Sequence, residues 1–183
     1  MTTLLAVRHA PTAPFAGFVG QSDVPIAVPL AVAREAALAA FQGFDLTEVW
    51  SSPLCRCLDT AAAVARVRGV PLRVDRRLLE ISHGAWENRA FADLERQEPE
   101  AWANYCAHWA STSPPGGEPL SSFAGRVSTW WAEREQRSAL VGHAGVLRAL
   151  LVVVDGLTWS EALSPEIPHL GDRAAWSLSF RRA

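Results

Sequence analysis

The stretch Leu4-Leu5-Ala6-Val7-Arg8-His9 runs four apolar residues straight into an arginine and a histidine. A short apolar run that stops at charged residues reads as a buried strand. In open α/β sheets the chemistry lies just beyond the carboxyl end of such a strand. The strand is expected over about residues 3–8, with His9 at its end. Taken alone, an Arg-His pair there reads as a satisfied core histidine. The case for a site rests on what the rest of the chain adds.

Val141-Gly142-His143 repeats the pattern, with a strand expected over 139–142. A third strand end, expected over 47–51, runs into Ser51-Ser52-Pro53-Leu54-Cys55-Arg56. There Ser52 is expected to cap a helix and Pro53 to sit in its first turn. That helix should run to about residue 68 and stop at Gly69. A short strand over 71–75 is followed by a loop over 78–88 that carries Glu80 and His83. In a parallel sheet these strand ends share one edge. Two histidines, two arginines and a carboxylate there would make an anion pocket beside a proton donor. Phosphate is its natural occupant. An arginine in the first turn of a helix is poor for helix stability and sensible as an anion clamp.

The remaining segments fit the same scheme. Residues 10–29 hold four prolines and two glycines and read as an irregular loop. Helices are expected over 30–41, over 90–109 with a break near Pro99, over 120–137 and over 145–153. Trp102, Tyr105 and Trp109 share a helical face, most simply as core. Phe123, Val127 and Trp130 or Trp131 should be the buried side of the helix over 120–137. Trp176, Leu178 and Phe180 alternate with smaller residues, so 174–180 should be a final half-exposed strand. Strands and helices alternate, which implies a three-layer α/β/α sandwich with a mostly parallel sheet. No repeat or linker divides the 183 residues, so one domain over 1–183 is expected.

Composition narrows the function. The net charge of −2 gives no footprint for nucleic acid or an anionic membrane. All 17 basic residues are arginine, which excludes Schiff-base chemistry through lysine and a Walker-type loop. The three cysteines, Cys55, Cys57 and Cys106, are too few and too scattered for a disulfide framework or a zinc site. No carboxylate cluster accompanies the histidines, so no metal or other cofactor is expected. No basic segment with a cleavage site opens the sequence, and the apolar run 147–154 is too short to span a bilayer. A cytoplasmic location is expected. The oligomeric state stays open, a homodimer included.

Five stretches in order resemble the histidine phosphatase superfamily, the phosphoglycerate-mutase-like fold. They are Val7-Arg8-His9, Ser51-Ser52-Pro53-Leu54-Cys55-Arg56-Cys57 with Thr60-Ala61, Leu79-Glu80 with Gly84-Ala85-Trp86-Glu87, Pro115-Gly116-Gly117-Glu118, and Val141-Gly142-His143-Ala144-Gly145. The resemblance implies a phosphoric monoester hydrolase with a phosphohistidine intermediate on His9. It makes Arg8, Arg56 and His143 the phosphoryl-holding residues and Glu80 the proton donor. His143 would be protonated in that role. Substrate contacts are expected at Gln21, Ser22, His83 and Ala144.

The chain departs from the family pattern at Ala10, Phe15 and Asn88, and it lacks the mutase insertions. A small phosphatase is therefore favoured over a mutase. The loop Gly17-Phe18-Val19-Gly20-Gln21-Ser22-Asp23-Val24-Pro25 and the run from Trp102 to Trp109 resemble α-ribazole phosphatases. That group removes the 5′-phosphate of α-ribazole phosphate in cobalamin biosynthesis. A phosphatase or mutase for another small metabolite, such as a sugar phosphate or phosphoglycerate, and a non-catalytic phospho-ligand module remain as alternatives. His108 and His169 are expected at the surface or an interface, and Glu87 and Glu118 as structural partners in their turns.

Overall fold

The computed structural model describes residues 2–134, 137–173 and 177–182. Its sheet is formed by β1 (Thr2–Arg8), β2 (Glu48–Ser51), β3 (Leu72–Val74), β4 (Arg137–Gly142) and β5 (Leu178–Arg182). The order is β3-β2-β4-β1-β5. All neighbours are parallel except β5, which runs antiparallel along β1. The helices are α1 (Leu30–Ala40), α2 (Cys55–Arg68), α3 (Phe91–Gln97), α4 (Pro99–His108), α5 (Leu120–Ala132), α6 (Ala144–Asp155) and α7 (Trp159–Leu163).

Side-chain alternation along the strands divides the core in two. Leu4, Ala6, Trp50 and Leu140 point to one face and pack with Phe123 and Val127 of α5, Leu147 and Leu150 of α6 and Ala162 of α7. Val7, Val49, Ala139 and Val141 point to the other and pack with Ala33 and Ala37 of α1 and Cys57, Ala61 and Val64 of α2. Helices therefore cover both faces, giving the expected three layers. Central strands covered on both sides must be apolar throughout, which is why β1 and β4 lack a polar face over most of their length.

The pairing of β1 with β4 positions the site. Arg8 lies opposite Gly142, and the His9 N–H donates to the Gly142 carbonyl at 2.8 Å. His9 and His143 thus leave the sheet side by side.

Several local expectations are corrected. Ser52 does not cap α2; its hydroxyl accepts from the Leu54 N–H at 3.3 Å. The Cys55 N–H at the helix start is met by Asp23 from the distant 10–29 loop, at 2.8 Å. A partner 32 residues away is invisible to local capping rules. The helix expected to reach residue 137 stops at Ala132. Arg134 turns back over the Trp50 ring, 3.4 Å from its centre, and Arg137 opens β4. The short α7 was not foreseen, although Thr158 and Glu161 form a capping box at its start. The last strand begins at Leu178, and Trp176 lies outside the described residues. Among the described residues no helix is long and apolar enough to cross a membrane.

Candidate active site

A cavity of about 560 Å³ opens at the carboxyl edge of the sheet and is lined by Arg8, His9, Arg56, Glu80 and Ala144, among others. Strand ends supply Arg8 and His9, and the first turn of α2 supplies Arg56. Ala144 opens α6. Glu80 arrives from the loop after β3.

His9 is 7% exposed, and its Nδ1 lies 2.7 Å from the Ala10 carbonyl oxygen. A carbonyl only accepts, so the ring proton sits on Nδ1 and the Nε2 lone pair is free. Burial, with Arg56 and Arg8 close by, lowers the His9 pKa to about 3. The imidazole is neutral at ordinary pH, as a nitrogen nucleophile must be.

Arg56 is a clamp as well as a charge. Its guanidinium donates to the carbonyls of Gly20 at 2.6 Å and Ser22 at 2.7 Å, and its Nε–H reaches His143 Nδ1 at 3.3 Å. That last bond makes Nδ1 an acceptor, so the His143 proton belongs on Nε2. His143 is fully buried, edge-on to His9 with ring centres 5.4 Å apart, and lies behind the cavity surface. Burial first, then the charge of Arg56, holds its pKa well below the usual value. The expectation of a protonated His143 is corrected: here it is a neutral Nε2–H donor.

Glu80 is held at both oxygens. Oε1 accepts from the Ile81 N–H at 2.9 Å and Oε2 from the Gly145 N–H at 3.1 Å. A Cβ at position 145 would stand 2.1 Å from Glu80 Oε1, so glycine there allows the approach. Arg126, which the sequence did not single out, anchors the backbone below. It donates to the carbonyls of Arg77, Leu79 and Glu80 and pairs with Glu118 at 2.7 Å. Glu118 is thus the structural partner expected of it. So is Glu87, which accepts from the N–H groups of Gln21 and His83 and from the Ser22 hydroxyl.

Two of the expected substrate contacts line the cavity and two do not. His83 and Ala144 face it, and the His83 ring stacks on Phe18 at 4.0 Å. Gln21 and Ser22 are corrected to a supporting place. Gln21 donates to the Glu80 carbonyl at 3.0 Å, and Ser22 lies between Glu87 and Asn88. Their polar groups are spent holding the loop.

The cavity also takes residues the sequence did not place there. Tyr105 and Trp109 form part of its wall, and no residue of α4 is fully buried, so the core packing expected for most of this aromatic face is corrected. Arg148 lines the cavity one turn along α6 from Ala144, and its Nε is buried without a hydrogen-bond partner among the described residues. His169, expected at the surface or an interface, also lines it. Among the described residues no group of three or more His, Cys, Asp or Glu side chains is placed to hold a metal ion.

The family model described as histidine phosphatase superfamily (branch 1) matches residues 4–177. The chain belongs to this superfamily. The adenosylcobalamin/alpha-ribazole phosphatase of Escherichia coli is 32% identical over 119 residues, 62% of this chain and 58% of that protein. The glucosyl-3-phosphoglycerate phosphatase of Mycolicibacterium vanbaalenii is 31% identical over 174 residues, 84% of this chain and 74% of that protein. The crystal structure of the alpha-ribazole phosphatase from Shigella flexneri superposes with a TM-score of 0.74 at 25% identity, covering 88% of this chain and 83% of that one. The matched part of the chain spans 29% of the length of some curated relatives and 58% of the E. coli protein.

Proposed function

We propose that this chain, acting as a single domain, is a phosphomonoester hydrolase working through a phosphohistidine on His9. The observation that carries the reading is the His9 imidazole itself. It is neutral, tied at Nδ1 to the Ala10 carbonyl and free at Nε2, beside the guanidinium groups of Arg8 and Arg56.

In the first step Nε2 attacks phosphorus in line. An N–P bond forms, the P–O bond to the leaving group breaks, and Glu80 gives its proton to the departing oxygen. In the second step Glu80 takes a proton from water, whose oxygen attacks phosphorus. The N–P bond breaks and inorganic phosphate leaves. Arg8 and Arg56 meet the charge on the equatorial oxygens, and His143, buried behind them, accepts the Arg56 Nε–H at its Nδ1 and so holds that guanidinium in place. Preorganised donors act most strongly there, where charge develops in a partly dry site.

The substrate proposed is α-ribazole 5′-phosphate, in cobalamin biosynthesis. Its support is the E. coli relative named above and an apolar aromatic wall that suits a flat base. A second reading is favoured by Arg148, whose buried Nε lacks a partner among the described residues. A cation in the cavity suits a carboxylate on the leaving group, as in a phosphoglycerate derivative.

A panel of α-ribazole phosphate, glucosyl-3-phosphoglycerate and 3-phosphoglycerate tests both readings. The first reading expects the highest kcat/KM for α-ribazole phosphate. A preference for an acid-bearing ester that disappears in Arg148→Gln would establish the second. Hydrolysis of p-nitrophenyl phosphate that survives in His9→Ala would overturn the phosphohistidine route.

A further inference from the structure

Two imidazoles stand against His9. His143, buried, and His169, lining the cavity, each have ring centres 5.4 Å from His9. His169 is fixed there by backbone and side chain together. Arg8 and His169 form an isolated parallel bridge, and the Leu170 N–H reaches the His9 carbonyl at 3.4 Å. Asp172 Oδ2 accepts the His169 backbone N–H at 3.1 Å and lies 3.4 Å from the ring Nδ1. The Asp172 N–H returns to the His169 carbonyl at 3.1 Å. The side chain is one-quarter exposed and lines the cavity. A carboxylate on Nδ1 and a cavity on the other side make an imidazole whose second nitrogen is offered to whatever occupies the site.

We propose that His169, oriented by Asp172, is a further phosphoryl-contacting side chain that takes up a proton as a dianion enters beside His9. The proposal rests on the phosphatase reading and extends it to how the anion is held. In the free protein burial first, then the charge of Arg8, keeps the ring below its usual pKa, and Asp172 pulls the other way. The ring is therefore neutral near pH 7 until an anion arrives. The titratable and charged groups that face it are Arg8 beside it on β1, the neutral His9 at the end of that strand and Asp172 on its own loop. Arg56, Glu80 and Arg148 line the same cavity. A phosphoryl dianion adds negative charge on the cavity side and favours the imidazolium. Nδ1–H then faces Asp172 and a new Nε2–H faces a phosphoryl oxygen. Because the bound state holds the extra proton, affinity is highest at low pH and falls as pH rises through the bound-state pKa of His169.

Sulfate is a suitable probe, since it stays a dianion over the whole range. Its binding is measured calorimetrically from about pH 5.5 to about pH 8, a span that brackets the histidine range. Two buffers of different ionisation enthalpy give the proton count. The expected result is that His169→Asn takes up about one proton fewer than wild type on binding. It should also bind sulfate roughly 10-fold more weakly at the acid end, as loss of a charge-assisted hydrogen bond requires. Asp172→Asn keeps the ring and should move the uptake to lower pH, which loss of a merely structural contact would not do. Uptake and pH slope identical to wild type in both variants would overturn the inference and leave the phosphatase reading intact. A wild-type protein that binds no sulfate at any pH would overturn both.

Discussion

Arg8, His9, Arg56 and His143 hang from strand ends and a helix start held in register by backbone hydrogen bonds. Phe18, His83, Tyr105 and Trp109, which also line the cavity, come from loops and from the largely exposed α4. The first group sits on parallel strands whose pairing leaves no freedom: Val7 lies opposite Val141 and Arg8 opposite Gly142. The second combines ring contacts, such as Phe18 on His83 at 4.0 Å and Trp86 against Tyr105 at 5.4 Å, with hydrogen bonds between loops, such as the Asn88 N–H to the Phe18 carbonyl at 2.7 Å. On the proposed function, reaction chemistry belongs to the strand edge and substrate choice to the aromatic side. Loops on a fixed scaffold commonly carry such choice.

The comparison breaks most readily at Glu80, the member of the edge that comes from a loop. Glu80→Gln should slow phosphoenzyme formation from an alkyl phosphate by roughly 10²–10⁴-fold, the usual range for general acid help. Formation from p-nitrophenyl phosphate should fall much less, because nitrophenolate leaves without a proton. Rapid quench isolates this first step from the second, where Glu80 also serves. Equal losses for both esters would make Glu80 a positioning residue.

A smaller effect sharpens the other side of the comparison. Trp109 lines the cavity without belonging to the strand edge. Trp109→Ala should raise KM for α-ribazole phosphate about 2- to 10-fold, the range set by aromatic contact energies. It should leave kcat and the hydrolysis of p-nitrophenyl phosphate nearly unchanged. Steady-state kinetics on the two esters decides this, and a fall in kcat for both would place Trp109 with the chemistry.

The same division decides what could be read from sequence. Val7-Arg8-His9 and Val141-Gly142-His143 were legible because an apolar run that ends in charge is a local signal, and a parallel sheet forces strand ends together. Arg56 followed from the same logic at β2. Contacts across long loops were not legible. Asp23 reaches Cys55, Arg126 holds the carbonyl of Glu80, and His169 is drawn beside His9 through Leu170. No periodicity announces such pairs. The protonation of His143 depends on burial and on the Arg56 Nε–H at 3.3 Å, which spacing does not encode. The resemblance of the 17–25 loop implies substrate contacts at Gln21 and Ser22. Whether a side chain faces in or folds back on Glu80 and Glu87 is fixed only in three dimensions.

The account stands on one claim, that the neutral His9 Nε2 carries the phosphoryl group. The direct measurement is to quench turnover rapidly under alkaline denaturing conditions, which preserve phosphohistidine, and to map the labelled peptides. The account predicts an acid-labile, alkali-stable phosphoryl group on the peptide containing His9, absent in His9→Ala and longer-lived in Glu80→Gln. Full turnover with no phosphoryl group on any peptide would contradict it, as would a label on a residue other than His9.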